Sequence, residues 1–218
     1  MRDGRVHYAE LKAHPASLDR YLDRIAAIPQ EDFKRWPRAE QLALLLNLYN
    51  AQTVRLILTH YPIASIRRIG LLPGAAWREK CVRLGDQHLS LDDLEHELIR
   101  KNYVEPRIHF ALVCAAQGCP PLRAEAYEAV RLDAQLADQA RLFLSDPAKN
   151  RFDPATGTLW LSPIFDWFTR DFAADRAGLR EFVTPLLPEP VRRQLSQHPS
   201  VRIQFTDYDW SLNDRPAP

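Results

Sequence analysis

The residues best equipped for chemistry fall in one stretch, Glu105 to Leu122 of a 218-residue chain. It holds two of the three cysteines, Cys114 and Cys119, with Arg107 and His109 upstream. The apolar run Phe110–Val113 separates His109 from Cys114, and Gly118-Cys119-Pro120-Pro121 breaks the chain after it. Periodicity does not tell strand from helix over so short a run. Pro106 and Pro120 bracket it, which favours a buried strand. On a strand His109 and Val113 share one face, and Phe110 and Cys114 the other. A helix starting at Pro120 would place Cys119 at its N-cap, where free N–H groups and the helix dipole favour a thiolate.

This pattern is consistent with a cysteine-dependent enzyme, a thiol hydrolase or acyltransferase. A reactive thiolate needs a lowered pKa, a base, and a group that orients the base. Cys119 is the candidate nucleophile and His109 the nearest base in sequence, with His96 as the alternative. Glu95 or Asn47 would orient the imidazole. In papain-like enzymes the nucleophile precedes the histidine; here both histidines come first, so chain order lends no analogy.

A metal site built from Glu95, His96, His109, Cys114 and Cys119 fits poorly. His109 and Cys114 are five residues apart, as are Cys114 and Cys119, and neither Cys-x-x-Cys nor His-Glu-x-x-His occurs. No metal and no cofactor are expected. A third reading is a non-catalytic module that binds a protein or small ligand, its polar residues holding the core together. A buried cysteine behaves as a small hydrophobe, which suits Cys114, and Arg107 would pair with Glu95. A redox dithiol, Cys114 with Cys119, requires the Gly118 turn to bring the two Cα atoms within about 7 Å. Asn50, Arg107, His96 and Tyr49 are the expected binding residues around the same pocket. Cys81 is given no role.

Positioning these groups falls mainly to helices. Residues 38–61 form the most apolar one, with Leu42, Leu45, Leu46, Tyr49, Leu56 and Ile57, and it is expected to be central and buried. Asn47 and Asn50 inside it are costly unless hydrogen-bonded, so they either tie a neighbouring loop to the helix or line a site. Residues 17–28 read as a helix capped by Ser17, and 91–100 as one capped by Ser90. Glu95 and His96 are adjacent on the latter and face different ways, one of them inward. Hairpins are expected at 80–89 and 150–161, helices at 133–145, 164–168, 177–187 and 189–198, and a last strand at 201–205. Trp160, Trp167 and Phe168 are assigned to the core. Tyr208-Asp209-Trp210 is assigned to a packing clasp, with Asp209 able to face a pocket. Helices outnumber strands, so the expected fold is α+β: a single domain, mostly helical, with short β-hairpins around the central apolar helix.

Composition narrows the function classes. Hydrophobic content of 46% and charged content of 26% are those of an ordinary globular protein. A net charge of +1 gives no electrostatic case for nucleic acid or an anionic membrane. No apolar run approaches the roughly 20 residues that span a bilayer, and neither glycine-rich phosphate fingerprint occurs. Seventeen prolines against seven glycines suggest defined breaks between elements. The odd cysteine count and the polar start after Met1 read as cytoplasmic for the sequence as it stands. An envelope or secreted location would require an N-terminal signal outside it. The expected partner is a small molecule or a protein.

With these segments placed, the chain resembles the DUF547 domain family. The resembling pieces are Leu46-Asn47-Leu48-Tyr49-Asn50-Ala51, Leu89 to His96, Arg107 to Cys114, Gly118-Cys119-Pro120-Pro121-Leu122, Leu159-Trp160-Leu161-Ser162, and Tyr208 to Asn213. Together they imply one DUF547-like domain over residues 8–213, with terminal extensions 1–7 and 214–218. The family has Ser-Cys-Pro where this chain has Gly118-Cys119-Pro120, which removes a hydroxyl and keeps the thiol. The resemblance implies no settled reaction, since the family is named for lacking one. Many of its members look secreted or envelope-associated.

Overall fold

In the computed structural model, residues 4–198 and 200–215 are described. Met1–Asp3 of the N-terminal extension and 216–218 of the polar tail lie outside them. Three short helices, α1 (Tyr8–Ala13), α2 (Ala16–Ala26) and α3 (Gln30–Arg35), lead into α4 (Arg38–His60), the long apolar helix expected from the sequence. Leu45, Leu46, Leu48, Tyr49 and Ile57 of α4 are almost fully buried and organise the first of two cores. Ser17 lies inside α2, whose N-cap is Pro15 and carries no side-chain hydrogen bond. A single turn, α5 (Ala75–Arg78), precedes an antiparallel hairpin, β1 (Val82–Leu84) with β2 (Gln87–Leu89).

Ser90 then starts a helical stretch as expected. Its hydroxyl accepts the Asp93 N–H at 3.1 Å, and the Asp93 carboxylate takes the Ser90 N–H at 2.7 Å, a reciprocal cap. From Asp93 to Arg100 this stretch is a π-helix, and it ends with the Lys101 N–H on the His96 carbonyl. Such helices are rare and cluster at functional sites.

The second core lies around α6 (Leu132–Leu144) and a three-stranded sheet. In it β3 (Arg151–Asp153) pairs antiparallel with β4 (Thr158–Leu161), and β4 pairs parallel with β5 (Arg202–Phe205). The crossover carries α7 (Ile164–Trp167), α8 (Thr169–Phe172), α9 (Arg176–Val183) and α10 (Glu189–Ser196). The fold is therefore α+β, a single domain with two small sheets. Among the described residues no helix is long and apolar enough to cross a membrane.

Residues 106–119 run between the two cores, and here the structure departs from the expected strand. Pro106–Phe110 is a 3₁₀ helix, with Pro106 at its start and the Glu105 carboxylate accepting the Arg107 N–H at 3.1 Å. Ile108 packs into the first core and Phe110 into the second. The following residues have no strand beside them. Instead the buried Asn50 amide donates to the Ala111 carbonyl at 2.8 Å and accepts the Val113 N–H at 2.9 Å. Asn47 serves the Tyr127 N–H and carbonyl in the same way, both at 2.9 Å. No helix begins at Pro120, so Cys119 is not at an N-cap.

Replacing Asn50 by Ala leaves a buried carbonyl and N–H unmatched. It should lower unfolding free energy by about 3 kcal/mol. Urea denaturation of the two proteins measures this; a loss under 0.5 kcal/mol, on the order of an ordinary surface change, would show that the amide is dispensable.

Candidate functional site

The cysteine loop gains its shape from the end of the chain. The Gly118 and Gln117 N–H groups donate to the Asp209 and Ser211 carbonyls, both at 2.8 Å, and Ala116 pairs with Leu212. The Asn213 N–H reaches the Ala115 carbonyl at 3.0 Å. Ala115 has φ +60°, a left-handed conformation that a non-glycine residue adopts at a cost. Gly118 lets the strap approach closely: a Cβ there would sit 3.0 Å from the Tyr208 ring and from the Asp209 nitrogen, so either would have to give slightly. The serine found in the family at this position would press on the same strap.

Within this clamp Cys114 and Cys119 turn their sulfurs toward each other, Sγ to Sγ 2.7 Å, as free thiols. The Cys119 sulfur also accepts the Cys114 N–H at 3.1 Å and the Tyr208 hydroxyl at 3.1 Å. Burial works against ionising Cys119, but the Cys114 thiol, the Tyr208 hydroxyl and the Ala116 and Cys114 amides more than offset it. The thiol is brought down to about 7. Cys114 moves the other way, pushed well up by its neighbour Cys119 and by burial. Tyr208 stays protonated, because burial and the two sulfurs raise it.

Both cysteines line a cavity of about 230 Å³ whose lining also includes Tyr49, Trp77, Trp167, Phe168, Tyr208 and Trp210. Trp167 and Phe168, assigned to the core from sequence, stand on its wall instead, with Trp167 47% exposed. The π-helix contributes Glu95 and His96 together. Each residue of a π-helix turns the chain less than in an α-helix, so neighbours can serve one cavity. Burial lifts the Glu95 carboxyl to about 7, with the Arg100 charge and the Tyr49 hydroxyl pulling it back.

His109 also lines the cavity, stacked on Phe168 with ring centroids 4.0 Å apart. Its Nε2 lies 2.7 Å from Asp171, which Arg100 grips through two nitrogens at 2.6 and 2.9 Å. Burial lowers the His109 pKa despite that partner, while the His109 and Arg100 contacts hold Asp171 far below the usual carboxylate range. The contact is thus a hydrogen bond from a neutral imidazole, and the ion pair is Arg100–Asp171. No hydrogen bond joins either histidine to either sulfur among the described residues.

The structure therefore gathers Cys119, His109, Glu95, His96 and Tyr49 around one cavity. Asn47, Asn50 and Arg107 lie outside it. The two asparagines tie loops to α4, and Arg107 pairs with Glu105 at 2.6 Å and Asp133 at 2.8 Å, not with Glu95. Asp209 spends its carboxylate on the Ser211 N–H and hydroxyl. Asp171 and Arg100 escape sequence reasoning, since neither sits in a distinctive motif. Tyr208 and Trp210 had a signal, the Tyr208–Asn213 segment, without a sign that it faced the thiols. Among the described residues no three His, Cys, Asp or Glu side chains are grouped to hold a metal ion.

The family model described as "Protein of unknown function, DUF547" matches residues 33–144. The chain belongs to that family. The match covers α4, the π-helix, both cysteines and α6, and ends before Asp171 and Tyr208. No curated protein and no solved structure matches the chain.

Two measurements follow. Iodoacetamide should alkylate native Cys119 with a midpoint near pH 7, and Tyr208→Phe should raise that midpoint to about 8 by removing one donor to the thiolate; an unmoved midpoint would mean the hydroxyl does not act on the sulfur. Glu95 keeps its proton in the folded state up to about pH 7, whereas the unfolded chain releases it near 4.3. Stability should therefore fall between about pH 4.3 and 7, by on the order of 3 kcal/mol. Glu95→Gln should flatten that slope in urea titrations across this range.

Proposed function

We propose that the cavity carries out thiol–disulfide exchange, with Cys119 as the attacking thiolate and Cys114 as the resolving thiol. The observation that carries this reading is the sulfur pair: one thiol is helped to ionise by hydrogen-bond donors, and the other lies in contact with it. Sulfurs 2.7 Å apart need only a small shift to bond at about 2.05 Å. Cys119 attacks one sulfur of a substrate disulfide, forming a mixed disulfide and expelling a thiolate. That leaving thiolate takes the Cys114 proton. The Cys114 thiolate then attacks the Cys119 sulfur and releases the second substrate thiolate. The substrate is reduced to two thiols, and the protein is oxidised to a Cys114–Cys119 disulfide.

Acyl transfer or hydrolysis at Cys119 is the second reading, and one observation favours it. His109, oriented by Asp171, faces the same cavity and keeps Nδ1 free of its proton when Nε2–H donates to the aspartate. The bonds of Asn47, Asn50 and Arg107 suit a third, purely structural reading of those three residues, and leave the thiols unexplained.

Treating the reduced protein with bis(2-hydroxyethyl) disulfide should produce the Cys114–Cys119 bond, read by peptide mass spectrometry. Cys114→Ser should instead trap the mixed disulfide on Cys119, and Cys119→Ser should give neither. If Cys119 reacts no faster than Cys81 and no internal bond forms, exchange is ruled out. A 4-nitrophenyl ester burst that survives Cys114→Ser would move the assignment to acyl transfer.

A further inference from the structure

We infer that the cavity selects substrates bearing an organic ammonium group, held against the Trp77, Trp167 and Trp210 rings and by the carboxylates of Glu95 and Asp92. The inference deepens the exchange reading by naming the substrate class, and the cation site itself stands apart from the thiol chemistry.

The walls are aromatic on most sides. Trp167 stacks with Trp210 at 5.8 Å, and Trp77 meets Trp210 edge-on at 5.9 Å. The residues lining the cavity include no lysine and no arginine. The two carboxylates among them lack strong partners. Glu95 is 9% exposed and has no ion pair within 4.0 Å among the described residues. Its nearest guanidinium, on Arg100, is committed to Asp171. Asp92 meets only His96, at 4.0 Å, and burial and Arg100 hold that imidazole toward its neutral form. A buried carboxylate without a counter-charge keeps its proton or awaits one. An ammonium group in an aromatic cavity supplies the counter-charge and is attracted by the ring faces as well. Two of these rings already draw cations: Arg67 lies 5.2 Å from the Trp210 centroid and Arg100 4.8 Å from that of Phe168.

This arrangement makes binding depend on pH. Arg100 and Asp92 act on Glu95 from its own helix and cap, Tyr49 from α4 and Asp171 from α8, and with burial they leave it titrating near 7. As the pH rises through 7 Glu95 ionises and the cation is held more tightly. His96, protonated only at lower pH, opposes a cation there and acts in the same direction.

Two probes separate the inference from the chemistry beneath it. Choline and its neutral isostere 3,3-dimethylbutan-1-ol are titrated against tryptophan fluorescence of the reduced protein. Choline should bind about tenfold tighter, in keeping with one cation–π contact and one charge pair, and more tightly at pH 8 than at pH 6. Glu95→Gln should weaken choline binding at pH 8 and shrink the pH dependence to what His96 and the Cys119 thiol contribute. Separately, oxidation of Cys119 is followed with cystamine, bis(2-hydroxyethyl) disulfide and 3,3′-dithiodipropionate, each rate divided by that of free 2-mercaptoethanol. The expected order is cationic, neutral, anionic. Equal affinities for choline and its isostere, with equal normalised rates, would overturn the ammonium site while leaving exchange intact. Choline binding with no disulfide reacting would keep the ammonium site and remove the exchange reading.

Discussion

The Asn50 side chain takes the place of a missing strand, and the cavity depends on it. Residues 111–113 pass between two hydrophobic cores, where every backbone group must find a partner. One amide on α4 serves the Ala111 carbonyl and the Val113 N–H together. Because the donor and acceptor belong to the most buried helix, the position of the following loop is fixed relative to the first core. Cys114 then leaves that anchor directly. The strap at 208–213 closes the other side and holds Ala115 in its left-handed turn. Fixed at both ends, the loop has little freedom to separate its two sulfurs.

Two titrating groups in one small cavity are then driven in opposite senses. Cys119 is helped to lose its proton by short-range donors, and Glu95 is made to keep its own by burial. Hydrogen bonds act on one atom, whereas desolvation acts on whatever is buried, and this is why the two can coexist. Had a lysine or arginine lowered the Cys119 pKa, it would have ionised Glu95 as well. The Arg100 charge, the nearest candidate, is instead absorbed by Asp171.

The sequence showed the large features through periodicity. The buried helix at 38–61, both hairpins and the last strand are each written as local apolar patterns, and local patterns survive folding. The two asparagines within an apolar helix were readable as ties because a buried amide must be satisfied. The stretch at 106–119 has the sequence signs of a strand and forms none. Its apolar run is short and bracketed by Pro106 and Pro120, which a buried strand and a 3₁₀ turn passing between two cores share. The site was legible in part for a related reason. Cys119, His109, Glu95 and His96 share motifs or neighbouring elements. Trp167, Asp171 and Tyr208 lie 48, 52 and 89 positions beyond Cys119 (167, 171 and 208 less 119), the first two on the crossover of the second sheet and the third just past β5. Arg107 fell to the nearest carboxylate in the chain, Glu105, two residues away, and not to the one a shared cluster would have required.

Stabilising a thiolate by donors alone has a consequence for what can approach it. A cationic helper would leave the cavity attractive to anions and would compete with any positive substrate. Here the wall offers ring faces, one rim carboxylate and one buried carboxylate, and the thiolate adds negative charge of its own. Each of these raises the potential energy of an anionic ligand and lowers that of a cationic one. The absence of lysine and arginine from the lining therefore leaves Cys119 to borrow hydrogen bonds from Tyr208 and Cys114, and leaves the space in front of it open to a cation.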